Sequence, residues 1–179
     1  MFEMETYKIF GDREHSLIEM TLGDLLDKVA EVYPDNDCVV CNDKPFRKTY
    51  KEFKEECDTT AKGLMALGVE KGSHVAIWAT NYPEWIVLMF ASAKIGATLV
   101  TVNTNYKVFE AEYLLKQSDT DTLVMMDGLK DTNYSEIINE LCPELKDSKP
   151  GRMDCENLPY LKRVIYLDAK ENMPRGMLH

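Results

Sequence analysis

The stretch AIWATNYPEWIVLMFASAKIGATLVTV, from Ala76 to Val102, constrains the fold more than any other part of the chain. It is introduced by Val75-Ala76-Ile77-Trp78-Ala79, an apolar run of strand length. Asn81-Tyr82-Pro83-Glu84 then has the composition of a helix start, with Asn81 expected at the N-cap, Pro83 in the first turn and Glu84 three residues after the cap. Trp85 to Ile95 is apolar on nearly every face, Gly96 stops the helix, and Thr98 to Val102 is the next β-rich run. A helix that is apolar all round must be covered on more than one side, so Trp85 and Phe90 are expected in the core. Two buried strands joined by a helix form a parallel βαβ unit with a right-handed crossover. Trp85 to Val102 also approaches the length of a membrane span. Lys94 inside it, Gly96 within it, the strand-favouring Thr98 and Thr101, and flanks without a positive bias all argue against a span.

The surrounding sequence extends this unit. Met1 to Ser16 reads as an irregular arm. A helix is expected from Thr21 to about Val32, with Leu22, Leu25, Leu26, Val29 and Ala30 on one face. Asp37 to Cys41 and Phe46 to Thr49 read as a hairpin around Asn42-Asp43-Lys44-Pro45. Thr49-Tyr50-Lys51-Glu52 is a capping box opening a helix whose stripe is Phe53, Cys57, Thr60, Ala61, Leu64 and Met65. Gly68 is placed as its left-handed C-cap. After Val102 come a polar loop at Asn103–Tyr106, a helix at Val108–Gln117 and a strand at Thr122–Met126. A helix at Tyr134–Leu141, a polar surface loop from Lys146 to Pro159 and a strand at Arg163–Leu167 follow. The pattern predicts a doubly wound α/β domain, its mainly parallel sheet covered by helices on both faces, preceded by an N-terminal helix and a small β-hairpin. By length the chain is one domain or a piece of something larger.

Charge and cysteine usage narrow the function classes. A net charge of −10 opposes nucleic-acid and anionic-membrane binding, both of which need a basic face. Met1 to Phe10 carries Glu3 and Glu5 and no apolar core, so no signal peptide is expected. Five cysteines without a regular framework read as reduced thiols of a cytoplasmic protein. Cys38 and Cys41 have redox spacing, but they fall within an apolar strand with no partner motif and read as buried or half-buried thiols. His15, His74 and His179 are scattered, which gives no metal-ligand spacing. Neither a dinucleotide fingerprint nor a phosphate-binding P-loop is present. The helix start near Asn81 is a weak anion site, because Asn81 can satisfy its own N–H groups and Glu84 repels an anion. From the residues alone the class is clear and no catalytic group is visible.

The order and spacing of several scaffold residues resemble those of a known family. They are Thr49-Tyr50, Gly63-Leu64, Leu67-Gly68-Val69, Lys71-Gly72, Val75-Ala76, Asn81, Glu84, Ala91, Gly96-Ala97, Asn103, Glu112 and Leu114-Leu115. Together they look like the N-terminal part of the AMP-forming acyl-CoA synthetases, members of the adenylate-forming superfamily. The resemblance implies a ligase that uses ATP and Mg to convert a carboxylic acid, in particular a fatty acid, to an acyl-adenylate and then transfers the acyl group to CoA. It implies that residues 1–179 are an N-terminal fragment, with arm, helix and hairpin over 1–48 and the β/α core over 49–179. In the family the phosphate loop and the later ATP-site motifs lie further along, so the fragment alone is expected to be inactive and a homo-oligomer. Asn105, in the Asn103–Tyr106 loop, is the one site residue carried over, on the CoA side. No catalytic or metal-binding residue is expected in this chain. The competing class is a freestanding flavodoxin-like α/β ligand-binding or interaction module, which would need a flavin or phosphate loop at a strand end.

Overall fold

The computed structural model describes residues 18–42, 45–168 and 170–179. The arm expected over 1–16 and two residues of the first hairpin turn lie outside them. Helix α1, Leu22–Val32, starts at Thr21, whose side chain accepts from Asp24 N–H. Strands β1 (Asp37–Cys41) and β2 (Phe46–Thr49) pair antiparallel. Helix α2, Tyr50–Ala66, opens on the Thr49/Glu52 capping box. Strand β3 (His74–Trp78), helix α3 (Pro83–Lys94), strand β4 (Thr98–Thr101), helix α4 (Val108–Gln117) and strand β5 (Thr122–Met125) follow as predicted. A small antiparallel pair, β6 (Gly128–Leu129) and β7 (Thr132–Asn133), was not legible in the sequence. Helix α5 (Tyr134–Leu141) and strand β8 (Arg163–Tyr166) complete the frame.

The main sheet is four-stranded and parallel, in the order β4-β3-β5-β8. The chain therefore moves outward from β3 to β4, returns across β3 to β5, and continues to β8. Right-handed crossovers then place α3 on one face and α4 and α5 on the other. Leu178 adds a parallel bridge to β8, with Tyr166 N–H bonded to its carbonyl (2.8 Å) and its own N–H to Val164 (2.8 Å). Among the described residues no helix is long and apolar enough to cross a membrane.

Two hydrophobic clusters hold the layers. The larger surrounds β3 and β5, which are buried on both faces and include the fully enclosed Trp78, Ile77, Leu123 and Met125. The smaller joins α1, α2 and α3 through Leu26, Phe53, Cys57 and Val87. Lys94, at the end of α3, ties the same three helices through Asp27 and Asp58 (2.8 Å to Asp58), with Lys54 2.6 Å from Asp58. Its side chain is 10% exposed, so the charge that opposed a membrane reading sits under the helices with its partners.

Several local expectations are corrected. Trp85 and Phe90 are half-buried, because α3 faces the sheet with Leu88 and Ala91 and faces α1 and α2 with Val87, leaving those rings at the seams. Phe90 meets Phe53 edge-on at a ring separation of 5.6 Å. Met65 is exposed, since the buried stripe of α2 ends at Leu64. Gly68 has φ +87°, as the C-cap reading requires. The segment read as a polar surface loop buries Met153, Cys155 and Leu158 beneath α5 and β8. Cys155 is disulfide-bonded to Cys142, which overturns the expectation of five reduced thiols. Neither cysteine lies in a recognisable spacing, and only the return of the 145–158 segment onto α5 brings them together.

Candidate functional site

In an open parallel sheet the carboxyl ends of two strands diverge where strand order reverses, and ligands bind in that crevice. Here the reversal falls between β3 and β5. A cleft of ≈ 620 Å³ opens beside the carboxyl end of β3, within the range of about 300–1,000 Å³ usual for small-molecule sites. It is lined by Ala79 to Pro83, by Trp85 and Ile86 of α3, by Thr104 after β4, and by Cys41 at the end of β1. Among the described residues no Lys or Arg lines it.

The β3–α3 turn departs from the sequence expectation in an instructive way. Asn81 is exposed and does not cap; the N-cap is Tyr82, with no side-chain cap hydrogen bond. Pro83 takes the first helical position, where its missing N–H costs nothing, and it holds the preceding residue extended. The cap therefore falls on Tyr82, at φ −85° and ψ 139°. Its hydroxyl instead donates to Asp168 Oδ1 (2.7 Å), just beyond β8. Asp168 Oδ2 accepts the Asp127 N–H after β5, and Ser135 donates to Asp127 Oδ1 (2.8 Å). The Asp168 bond, followed by burial and the Asp168 charge, raises Tyr82 to about 12. Burial, with the charges of Asp127 and Asp168, pushes Tyr166 to about 12 as well. Both phenols keep their protons at neutral pH and serve as donors.

The loop after β4 is pinned from the opposite side. Tyr134 stacks on the buried Trp78, with ring centroids 4.1 Å apart, and donates to the Thr104 carbonyl (2.7 Å). Lys107 Nζ donates to Thr132 Oγ1. Asn105 N–H donates to Asn103 Oδ1 (2.9 Å), an Asx turn that leaves both asparagines exposed. The structure thus sets Thr104 in the cleft wall and leaves Asn105, the next residue, exposed. Tyr82, Asp168, Tyr134 and Thr104 were not legible from the sequence, because partners 86 and 30 residues apart leave no spacing to read.

Residues 26–171 match the family model described as AMP-binding enzyme. The chain belongs to that family. It is 52% identical over 163 residues to a Bacillus subtilis protein named as an acyl-CoA synthetase, YngI, covering 91% of this chain and 29% of that protein. It is 34% identical over 161 residues to the mitochondrial medium-chain acyl-CoA ligase ACSF2 of Mus musculus, covering 90% of this chain and 26% of that one. Among solved structures, a Rhodopseudomonas palustris protein titled as a long-chain-fatty-acid CoA ligase superposes with a TM-score of 0.68 at 26% identity, over 86% of this chain and 34% of that one. The N-terminal domain of FACL13 from Mycobacterium tuberculosis shares the fold, with a TM-score of 0.68 at 23% identity, over 83% of this chain and 33% of that one. The chain therefore spans under a third of the length of the curated relatives named here.

Members named as acyl-CoA ligases imply ATP, Mg and CoA, and the residues present here do not fit a triphosphate. Among the described residues the cleft lining carries no cation, and Glu84 in the first turn of α3 opposes an anion at that N-terminus. Among the described residues no three His, Cys, Asp or Glu side chains gather to hold a metal ion. The lining is largely apolar.

Proposed function

We propose that these residues are the N-terminal part of an AMP-forming carboxylic-acid–CoA ligase, with 1–48 as arm, helix and hairpin and 49–179 as the β/α core. The observation that carries this reading is the family match across most of the chain. A fatty acid is the preferred substrate class, supported by the names of the relatives and by an apolar cleft at the sheet's carboxyl edge. The 179 residues alone are inactive, because the described residues of the cleft supply no cation with which to hold a triphosphate where charge develops. In the whole enzyme ATP and Mg are held by other residues. Asn105 is the residue proposed on the CoA side, exposed beside Thr104, which walls the cleft. The protein acts in the cytoplasm. The isolated chain self-associates through surfaces such as the exposed Phe109 and Tyr113 of α4.

The test uses the purified chain with labelled ATP, a panel of fatty acids and CoA, scored for acyl-AMP and thioester. No product is expected from these residues, and acyl-AMP is expected from a chain extended through the downstream phosphate loop. Turnover by the 179 residues alone would overturn the fragment reading. Inactivity of the extended chain toward every acid would overturn the ligase reading.

A further inference from the structure

We propose that Cys142 and Cys155 form a redox-responsive latch, which as a disulfide holds residues 143–154 against the end of α5 and as a dithiol lets them open while the sheet stays folded. The inference goes beyond the proposed function and does not rest on it. Cys142 is the C-cap of α5, with its N–H bonded to the Ile138 carbonyl (2.8 Å), so one sulfur is fixed by the helix. The chain between the two cysteines is the less secure part. Of residues 143–154 only Leu145 and Met153 are buried, and the regular structure there is one short turn at Leu145–Asp147. A segment with few buried contacts and an exposed backbone opens before the core does. The cross-link joins its two ends and so restricts the open states it can reach. Other ties survive reduction. Met153 N–H stays bonded to the Lys162 carbonyl (2.9 Å), and Lys116 Nζ to Asn157 Oδ1 (2.7 Å), so the dithiol form opens more often without leaving the fold. A free Cys155 thiol has the Leu141 carbonyl 3.6 Å away as an acceptor, so the fold accommodates the reduced form too. The step is thiol–disulfide exchange. A thiolate of dithiothreitol attacks one sulfur of the pair and expels the other, which takes up a proton; the reagent's second thiol loses its proton, displaces the first sulfur and closes a cyclic disulfide. Two electrons and two protons thus pass to the cysteines. Glutathione disulfide reverses the step and leaves as two glutathione thiols. Both sulfurs belong to buried residues, so attack waits on opening of the segment.

The readout is amide hydrogen exchange of the whole chain, resolved by peptide mass spectrometry, with and without dithiothreitol. Redox state is scored in parallel by labelling the quenched, denatured chain with N-ethylmaleimide. Before reduction Cys38, Cys41 and Cys57 are expected to label while Cys142 and Cys155 do not, and after reduction every cysteine labels. Reduction should speed exchange in peptides over 143–158 by roughly tenfold to a hundredfold, the upper figure being the full loop-closure restraint of a loop this long. Peptides over β3 and β5 should be unchanged, and glutathione disulfide should restore the slow exchange. Cys142→Ala and Cys155→Ala should each exchange fast over 143–158 with or without reductant, whereas Cys57→Ala should respond as the unaltered chain does. The proposal is overturned if Cys142 and Cys155 label after treatment with glutathione disulfide, or if dithiothreitol reduces them only once the sheet unfolds. Unchanged exchange over 143–158 on reduction, or an equal rise across β3 and β5, would overturn it as well. If Cys142→Ala or Cys155→Ala does not fold by far-UV circular dichroism, the unaltered chain in its two redox states decides the matter alone. None of these measurements reads catalytic turnover, so their outcome is separate from that of the ligase reading.

Discussion

Replacing Arg163 by Ala tests the frame that positions the cleft. Arg163 begins β8 with its side chain 9% exposed, and its Nη1 donates to Asp121 Oδ1 (3.0 Å) and Thr122 Oγ1 (3.0 Å) at the start of β5. Its Nη2 donates to the carbonyl of Gly68 (3.2 Å), the left-handed residue that ends α2. One guanidinium thus joins a helix end to two strands. Asp121 is 16% exposed and also accepts from His74 N–H (3.3 Å) of β3, so it ties the amino ends of three strands. Removing one member of a buried ion pair costs about 3–5 kcal/mol, because the other charge stays buried and unpaired. Asp121 retains Thr122 O–H (2.6 Å) and the His74 N–H as donors, which places the expected loss near the lower end, about 3 kcal/mol. That is a large share of a stability of about 5–15 kcal/mol for a domain of this kind. The assay is urea unfolding followed by tryptophan fluorescence, from the buried Trp78 and the half-buried Trp85. Arg163→Met combined with Asp121→Leu should cost less than Arg163→Ala, since it leaves no orphaned charge. A loss under about 1 kcal/mol for Arg163→Ala would show that the pair does not hold the strands, and a double variant as costly as the sum of its singles would refute the orphaned-charge argument.

Phe53, 1% exposed and central to the cluster between α1, α2 and α3, should cost about 3–5 kcal/mol on replacement by Ala, read from the same unfolding curves. Gly176 has φ +82°, and a Cβ there would lie 1.8 Å from the Leu145 carbonyl oxygen. Gly176→Ala should therefore lower stability by more than about 1 kcal/mol, and an unchanged melting temperature would contradict that close approach. Burial raises the Cys57 thiol from 9.0 to about 12, and burial with nearby carboxylates raises Tyr166 from 10.0 to about 12. Both groups ionise more readily in the unfolded chain, so the stability they contribute is whole below pH 9 and is lost as pH rises toward about 12. Thermal melts across that window should fall with pH, and Cys57→Ala should flatten the first part of the decline.

The sequence by itself determined the succession of elements, because the relevant signals are local. Thr49 and Glu52 form their capping box within one turn, and Gly68 supplies the left-handed residue that ends the same helix. The unbroken apolar character of Val75–Trp78 and Leu123–Met125 announced strands buried on both faces, as a parallel sheet under two helical layers demands. The scaffold residues that carried the family resemblance are of the same local kind, and for that reason the fold was legible while no catalytic group was. Tertiary structure decided whatever depends on partners distant in sequence. Pro83 moved the helix cap from Asn81 to Tyr82, and the Tyr82 hydroxyl found Asp168 only because strand order places β8 beyond β5. The half-burial of Trp85 and Phe90 followed from where the seams between α3 and its neighbours fall, which hydrophobicity along one helix does not encode. Cys142 met Cys155, and Thr104 rather than Asn105 walled the cleft, through the return of loops onto α5 and the hold of Tyr134. A hydrogen bond or a disulfide needs its two atoms within a few ångströms, and for residues far apart in the chain only the folded path of the backbone provides that proximity.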